Sequence, residues 1–333
     1  MVLFILVLLS AGAAARSRPL QFYFVDVEGG QATLIVGPSG QSLLIDAGWL
    51  GFDGRDTDRI LAAAGLASVT KIDLLVVTHY HRDHVGGVVQ LSKRIPILAF
   101  VDHGLNVQPW DTPGEDYAAY LKVAQHAQHL VVKPSDILPI KDLRIQIVSS
   151  GGKLITHALP GAGESNGYCG ADPEPEDDPG ENAQSVGMVL SYGKFRFLDL
   201  GDLTRKKELV LVCPANLLGT VDLFLVSHHG FAESNSKAMV WAVRPRVAIL
   251  NNGAHKGGNP VAWQIVHDTP SLQDLWQLHY AADAGKEHNV PPEFIANLEE
   301  TSDQGNYIRV LAFEDGSFRV ENSRNRLSKN YPH

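Results

Sequence analysis

Short runs of apolar and β-branched residues recur along this chain, separated by turn-forming residues and by stretches whose apolar positions repeat every three to four residues. The runs Leu20–Val25, Ala32–Val36, Ser42–Ile45, Leu74–Val77, Leu143–Val148, Gly187–Tyr192, Phe195–Leu198, Leu223–Val226, Val247–Leu250 and Ile308–Phe313 are predicted to be strands. Helical spacing falls on Asp56–Ala64, Glu115–Gln128, Ser234–Val243 and Ala262–His267. Strands and helices mixed in this way predict an α/β protein with large mixed sheets.

Two stretches break the pattern. Residues 2–9, Val-Leu-Phe-Ile-Leu-Val-Leu-Leu, are wholly apolar and lead into the small-residue stretch Ala11-Gly12-Ala13-Ala14-Ala15. That run is too short to span a bilayer and has the length of a signal-peptide core, so residues 1–15 are expected to be a signal peptide and the protein periplasmic or secreted. The second break is 159–181, rich in Pro and Gly, with the acidic group Glu174, Glu176, Asp177 and Asp178. Proline at this density excludes a regular element. Strand patterns flank it on both sides, so it reads as a long loop within one domain spanning 18–325. No internal repeat is present, and no later stretch is apolar enough to cross a membrane.

The chain has 333 residues, 44% of them apolar, which suffices for a sizeable core. Its net charge of −9 argues against a broad basic surface for phosphate backbones and makes nucleic acid a disfavoured partner. Oligomeric state is not readable. Cys169 and Cys213 are the only cysteines, and their spacing is unlike that of a thiolate zinc site. An exported chain would allow them to form a disulfide; the alternative is two buried thiols.

The chemistry concentrates after Ile72-Asp73-Leu74-Leu75-Val76-Val77, a run suited to a strand buried on both faces. It ends at Thr78, and His79, His81, Asp83 and His84 follow at once. A turn at a strand's end can aim all four into one small volume, where imidazoles and a carboxylate suit Zn²⁺, Mn²⁺ or Fe²⁺. Gly86 and Gly87 then permit close backbone approach. A lone histidine is usually a surface residue; three with an aspartate in one turn point to metal.

His79-x-His81-x-Asp83-His84 resembles the signature of the metallo-β-lactamase superfamily, which implies an αββα sandwich of two mixed sheets with metals at one edge. Further landmarks follow in order: Asp26-Val27-Glu28-Gly29-Gly30-Gln31-Ala32, Ile45-Asp46-Ala47-Gly48, Phe197-Leu198-Asp199-Leu200-Gly201-Asp202, and Leu225-Val226-Ser227-His228-His229-Gly230. With Asn182-x-x-Ser185, they most resemble the branch holding the hydrolase domain of the DNA-uptake competence protein and the phosphorylcholine esterases. The chain departs from that branch in two places. Glu28-Gly29-Gly30-Gln31 stands where the branch has Gly-Gln-Gly-Asp, and Gly258-Asn259-Pro260 where it often has Gly-His-Pro. The separate histidine that true β-lactamases carry between these motifs has no clear counterpart, since His157 lacks the flanking context.

The resemblance implies two divalent metals, Zn²⁺ foremost, with His79 and His81 on one, Asp83 and His84 on the other, Asp202 bridging, and His229 completing the set. Two such cations about 3.5–4 Å apart lower the pKa of a bridging water enough to supply hydroxide. Asp83 and His228 are the candidate catalytic groups, His228 as proton donor to the leaving group. Between His228 and His229 the ligand choice stays open, with His229 favoured. Asp46 is expected to orient a ligand histidine, with a turn-capping carboxylate as the alternative. His103, Asn182, Ser185 and Lys256 are candidate pocket residues, and the glycines of 251–258 suit an anionic group or a plain turn.

The leading expectation is hydrolysis of a small ester-like substrate, with phosphoesters and phosphodiesters ahead of lactones and carboxylic esters. A nuclease of the competence-protein type is the alternative within enzymes. Outside hydrolysis stand a non-catalytic metal-binding protein and a diiron redox protein, the latter weakened because no flavin domain is evident.

Overall fold

In a computed structural model, residues 18–108, 113–171, 173, 175–176, 178–300 and 304–333 are described. The signal-peptide expectation, on residues 1–15, lies outside them. Strands β1 (Leu20–Val25), β2 (Thr33–Val36), β3 (Ser42–Ile45), β4 (Leu74–Val76), β5 (Ala99–Asp102) and β6 (Gln128–Val131) belong to the first sheet. Strands β7 (Ile137–Leu138), β8 (Arg144–Ser150), β9 (Lys153–Leu154), β10 (Gly187–Tyr192), β11 (Phe195–Asp199), β12 (Leu223–Leu225), β13 (Val247–Leu250), β14 (Asp274–His279) and β15 (Ile295–Asn297) form the second. The chain then returns to the first sheet with β16 (Tyr307–Ala312), β17 (Phe318–Asn322) and β18 (Ser328–Tyr331). The first sheet runs β18-β17-β16-β1-β2-β3-β4-β5-β6, and the second β15-β14-β13-β12-β11-β10-β8-β7, with β9 on β8.

The sheets pack face to face. Phe22, Phe24, Ile45 and Val76 of the first meet Ile147, Phe197, Leu225 and Ile249 of the second in one buried core, and the Phe22 and Phe197 rings cross it edge to face at 5.0 Å. Helices cover the outer faces. On the first sheet these are α1 (Arg55–Leu66), the single turn α2 (Arg82–Val85), α3 (Val88–Ser92) and α4 (Pro113–Ala124); on the second, α5 (Arg205–Val212), α6 (Lys237–Val243) and α7 (Pro260–His267). Strands buried on both faces lose the alternation of a half-exposed strand, which is why the sequence shows them as continuous apolar runs. The fold is the expected αββα sandwich of two mixed sheets.

Parallel pairing decides where the chemistry goes. Strands β3, β4 and β5 run parallel, as do β11, β12 and β13, so the turns after them gather along one edge of the sandwich. Close packing there fixes some glycines. A Cβ on Gly87 would lie 2.0 Å from the Ala47 carbonyl oxygen, and one on Gly201, at φ +56°, 3.0 Å from Thr78 Cβ.

Stretch 159–181 forms no regular element among its described residues. Its first half is laced to 212–217 by Leu159 N–H on Leu217 O, Gly163 N–H on Asn216 O and Asn166 N–H on Pro214 O. Cys169 and Cys213 form a disulfide with Cα atoms 5.8 Å apart, closing 44 residues of sequence and resolving the cysteine alternative.

Candidate metal centre

Asp83, His84, Asp202 and His229 offer donor atoms that all lie within 4.8 Å of one another, and all four residues are buried. Asp202 Oδ2 is the hub, 3.3 Å from His84 Nε2, 3.4 Å from His229 Nε2, 3.6 Å from His228 Nε2 and 3.7 Å from His79 Nε2. His79 Nε2 meets His81 Nδ1 at 3.0 Å, and Asp83 Oδ2 lies 3.2 Å from His84 Nε2 and 3.1 Å from His229 Nε2. Four of the six candidate ligands named from the sequence thus share one cluster, with His79 beside Asp202 and His81 beside His79.

Hydrogen bonds behind the cluster set which imidazole nitrogen faces it. Asp46 accepts Thr78 N–H on Oδ1 at 2.7 Å, and on Oδ2 both the Thr78 hydroxyl and His84 Nδ1–H, each at 2.7 Å. Its proton committed to Asp46, Thr78 Oγ1 can only accept from His79 Nδ1, 3.1 Å away. One buried carboxylate therefore orients His84 directly and His79 through Thr78, leaving Nε2 of each toward the centre. His81 is turned the other way: Nε2–H faces Gln108 Oε1 at 3.3 Å, and Nδ1 faces the cluster. For His228, the Ser234 hydroxyl donates to Leu203 O and so accepts from Nδ1 at 3.3 Å, while Asn182 Nδ2 approaches Nε2 at 3.4 Å.

Charges agree with a cation site. Desolvation opposes ionisation of Asp83 and Asp202, yet the surrounding histidines, and Lys256 at Asp83, hold both well below the usual carboxylate range. His84 is held well above its ordinary value, because Asp202, Asp83 and Asp46 outweigh its burial, and burial beside His84 drives His79 well down. His84 Nε2 and His229 Nε2 face each other at 3.1 Å, a contact two lone pairs tolerate only with a cation or proton between them. Asp202 Oδ1 is buried without a partner. Histidine nitrogens and carboxylate oxygens at this spacing fit divalent metal.

Other residues named from the sequence sort differently. Ser185 is buried, and its Oγ accepts Asp202 N–H at 3.2 Å, so it holds the turn. Lys256 Nζ donates to Asp83 Oδ2 and to Gly29 O, and stands 4.7 Å over the Trp49 ring. His103 does not line the pocket: it is buried against Tyr80, with Nε2 3.0 Å from Glu181 Oε2. A histidine after a strand end looks the same in sequence whether it faces the cleft or the core. His157 is exposed and outside the ligand cluster, bonded to the Thr156 hydroxyl.

Sequence reasoning missed Glu181 and Gln108. Glu181 accepts Tyr80 N–H, His103 Nε2 and Val107 N–H, and its own N–H donates to Gln108 Oε1, which also faces His81. It ties the ligand turn to the loop after β5. Only its place beside Asn182 pointed to it. His228 and His229 both have left-handed backbone, φ 51° and 50°, a strained conformation for residues with a Cβ that recurs where a site over-determines the chain.

Residues 25–173 match the family model of the metallo-beta-lactamase superfamily. Recombination protein 2 of Haemophilus influenzae is 27% identical over 316 residues, covering 92% of this chain and 30% of that protein. Ribonuclease Z of Methanopyrus kandleri is 30% identical over 118 residues, covering 35% of this chain and 38% of that one. This chain spans about a third of the length of these curated relatives. Among solved structures, the diiron beta-hydroxylase CmlA of Streptomyces venezuelae aligns with a TM-score of 0.43 at 15% identity, covering 78% of this chain and 48% of that one. No helix among the described residues is long and apolar enough to cross a membrane. Over residues 25–173 the chain is thus similar to the metallo-beta-lactamase superfamily, and its two-sheet fold carries a buried cluster of candidate metal ligands to match.

Proposed function

We propose that the protein hydrolyses small phosphodiesters at a two-metal centre, with Zn²⁺ the first choice of ion. The observation that carries this reading is the paired arrangement of donors around one central carboxylate, Asp202 Oδ2, with His79 and His81 to one side and Asp83, His84 and His229 to the other. Bound there, two divalent ions supply Lewis-acid polarisation of the phosphoryl oxygen and lower the pKa of water.

The chain's own groups do the rest. Burial, opposed by Asp202, keeps His228 below its usual value, so it is neutral at neutral pH, with Nδ1–H on Ser234 and an unprotonated Nε2 that faces the cluster and the Asn182 amide N–H. To serve as the proton donor read from the sequence it must first be charged. It does so by taking the attacking water's proton at Nε2 as the new O–P bond forms, and returns it to the leaving oxygen as the old P–O bond breaks. Water and diester give monoester and alcohol. Lys256 supplies fixed positive charge at the edge of the cluster for the substrate's phosphate.

A nuclease is the second reading, favoured by the partial likeness to ribonuclease Z and weakened by a net charge of −9. Export is supported by the disulfide, since such bonds persist in oxidising compartments. One domain over 18–325 is supported by the core shared between the sheets.

The test is elemental analysis of protein purified without added metal, then a screen against bis-aryl phosphodiesters, phosphomonoesters, lactones, β-lactams and single-stranded DNA. Chelator-sensitive phosphodiester turnover is expected. Full metal loading with no turnover, or lactones or DNA preferred, would overturn the reading.

A further inference from the structure

Beside His228 opens a cleft of about 410 Å³, walled by Pro175, Glu176, Asp178 and Asn182 on one side and by the segments after Asp202 and His229 on the other. Three residues of its wall carry buried polar atoms with no partner among the described residues: Asn182 Oδ1, Thr204 Oγ1 and Arg205 Nε. Thr204 is 6% exposed, and although it precedes α5 its hydroxyl caps nothing. Unpaired buried donors and acceptors are costly, and three of them beside one cleft call for partners that a bound ligand can supply.

Their chemistry is specific. A guanidinium N–H needs an acceptor, the amide oxygen needs a donor, and a hydroxyl serves as either. One neutral group meets all three demands, an arm bearing neighbouring hydroxyls. The charges on the wall exclude a second phosphate, because Glu176, Asp178 and Glu233 face the cleft against Arg205 and Lys206. A nucleic-acid strand running through it would bring its next phosphate against these carboxylates.

Resting on the phosphodiester reading, we infer that this cleft is a specificity subsite for a short, uncharged, hydroxyl-bearing arm of the substrate, held by Thr204, Arg205 and Asn182. Three esters with one leaving group test it: methyl, glyceryl and phosphoglyceryl 4-nitrophenyl phosphate, with the Zn²⁺-loaded protein. The expected kcat/KM for the glyceryl ester is about tenfold above the methyl ester, the worth of roughly one hydrogen bond, and the extra phosphate cancels the gain. Thr204→Val removes a hydroxyl the fold does not use, and should bring the glyceryl-to-methyl ratio toward one, mainly through KM. Equal rates in the unaltered protein, or preference for the phosphoglyceryl ester, would overturn the subsite. Should none of the three turn over, the phosphodiester reading fails instead, and saturation-transfer NMR with glyceryl methyl phosphate still decides the subsite. Transfer to the glyceryl protons that Thr204→Val abolishes supports it, and no transfer refutes it.

Discussion

Replacing Asp46 with asparagine is the sharpest test of how the ligands are held. Asp46 adopts φ 58°, which asparagine tolerates well, so the backbone should not move. The carboxylate accepts three hydrogen bonds, two of them on Oδ2. In the amide one of its oxygens becomes an NH₂. With the remaining oxygen kept on Thr78 N–H, that NH₂ confronts the Thr78 hydroxyl and His84 Nδ1–H. The hydroxyl can rotate, but the imidazole must give up its Nδ1 proton, leaving any remaining proton on Nε2, the nitrogen 3.3 Å from Asp202. Losing a bond to a charged acceptor costs about 1.5–3 kcal/mol, which matches the 10–100-fold drop in metal affinity typical of removing a carboxylate behind a ligand histidine. His79 should be disturbed too, because its Nδ1 partner, the Thr78 hydroxyl, is no longer committed to Asp46. Competition with a chromophoric chelator measures the affinity, and nitrogen–proton NMR of the imidazoles reports the tautomer. Affinity within twofold of the unaltered protein, or an unchanged His84 tautomer, would refute the argument.

Asp202→Asn should lower the metal content measured by elemental analysis and cut turnover at least about a hundredfold, since an amide offers one coordinating oxygen where the carboxylate offers two; full occupancy with normal turnover would remove Asp202 from the bridge. Burial raises Glu208 to about 7 against an ordinary 4.5, although it accepts the N–H groups of Asn235 and Ser236. A raised carboxyl contributes stability that is fully present below the unfolded-state value and lost as pH rises through the folded one. The unaltered protein should therefore lose roughly 3 kcal/mol relative to Glu208→Gln between pH 4.5 and 7 in urea titrations, and a pH-independent difference would contradict the shift. Because the disulfide closes 44 residues, replacing both cysteines by serine should lower unfolding stability by roughly 4 kcal/mol on chain-entropy grounds, read as a shift in the urea midpoint; no shift would mean the loop is already fixed by its backbone bonds.

Legibility followed burial. Most strands with both faces covered were plain as apolar runs, although the short buried strands β5 and β15 were not read, and the ligand turn was plain because four of its side chains sit within six positions. Strand β14 was not, since Asp-Leu-Trp-Gln-Leu-His mixes polar residues into a buried strand whose Gln277 side chain is satisfied internally. Helix α5 opens with Arg205, Lys206 and Lys207, which masks its buried Leu211 and Val212, and β17 and β18 are polar strands near a sheet edge. The Glu115–Gln128 helix ends at Ala124, because Gln128 already begins β6. Glu181 and Gln108 were hidden for another reason: their roles depend on contacts across 73 residues of sequence, which no local spacing encodes.

The ligand sources have a consequence for how the molecule assembles. His79, His81, Asp83 and His84 come from the first sheet, and Asp202 and His229 from the second, so the contact between His84 and His229 joins positions 145 residues apart. Metal at the centre would rivet one sheet to the other along their shared edge. A chain emerging from the ribosome could hold only the first four donors until residue 202 had folded into place, and five until residue 229, so full-affinity metal capture would be a late event. Partial unfolding that slid the sheets apart would release the ions before either sheet melted. Metal loss on mild denaturation would then be a gauge of sheet docking rather than of global unfolding.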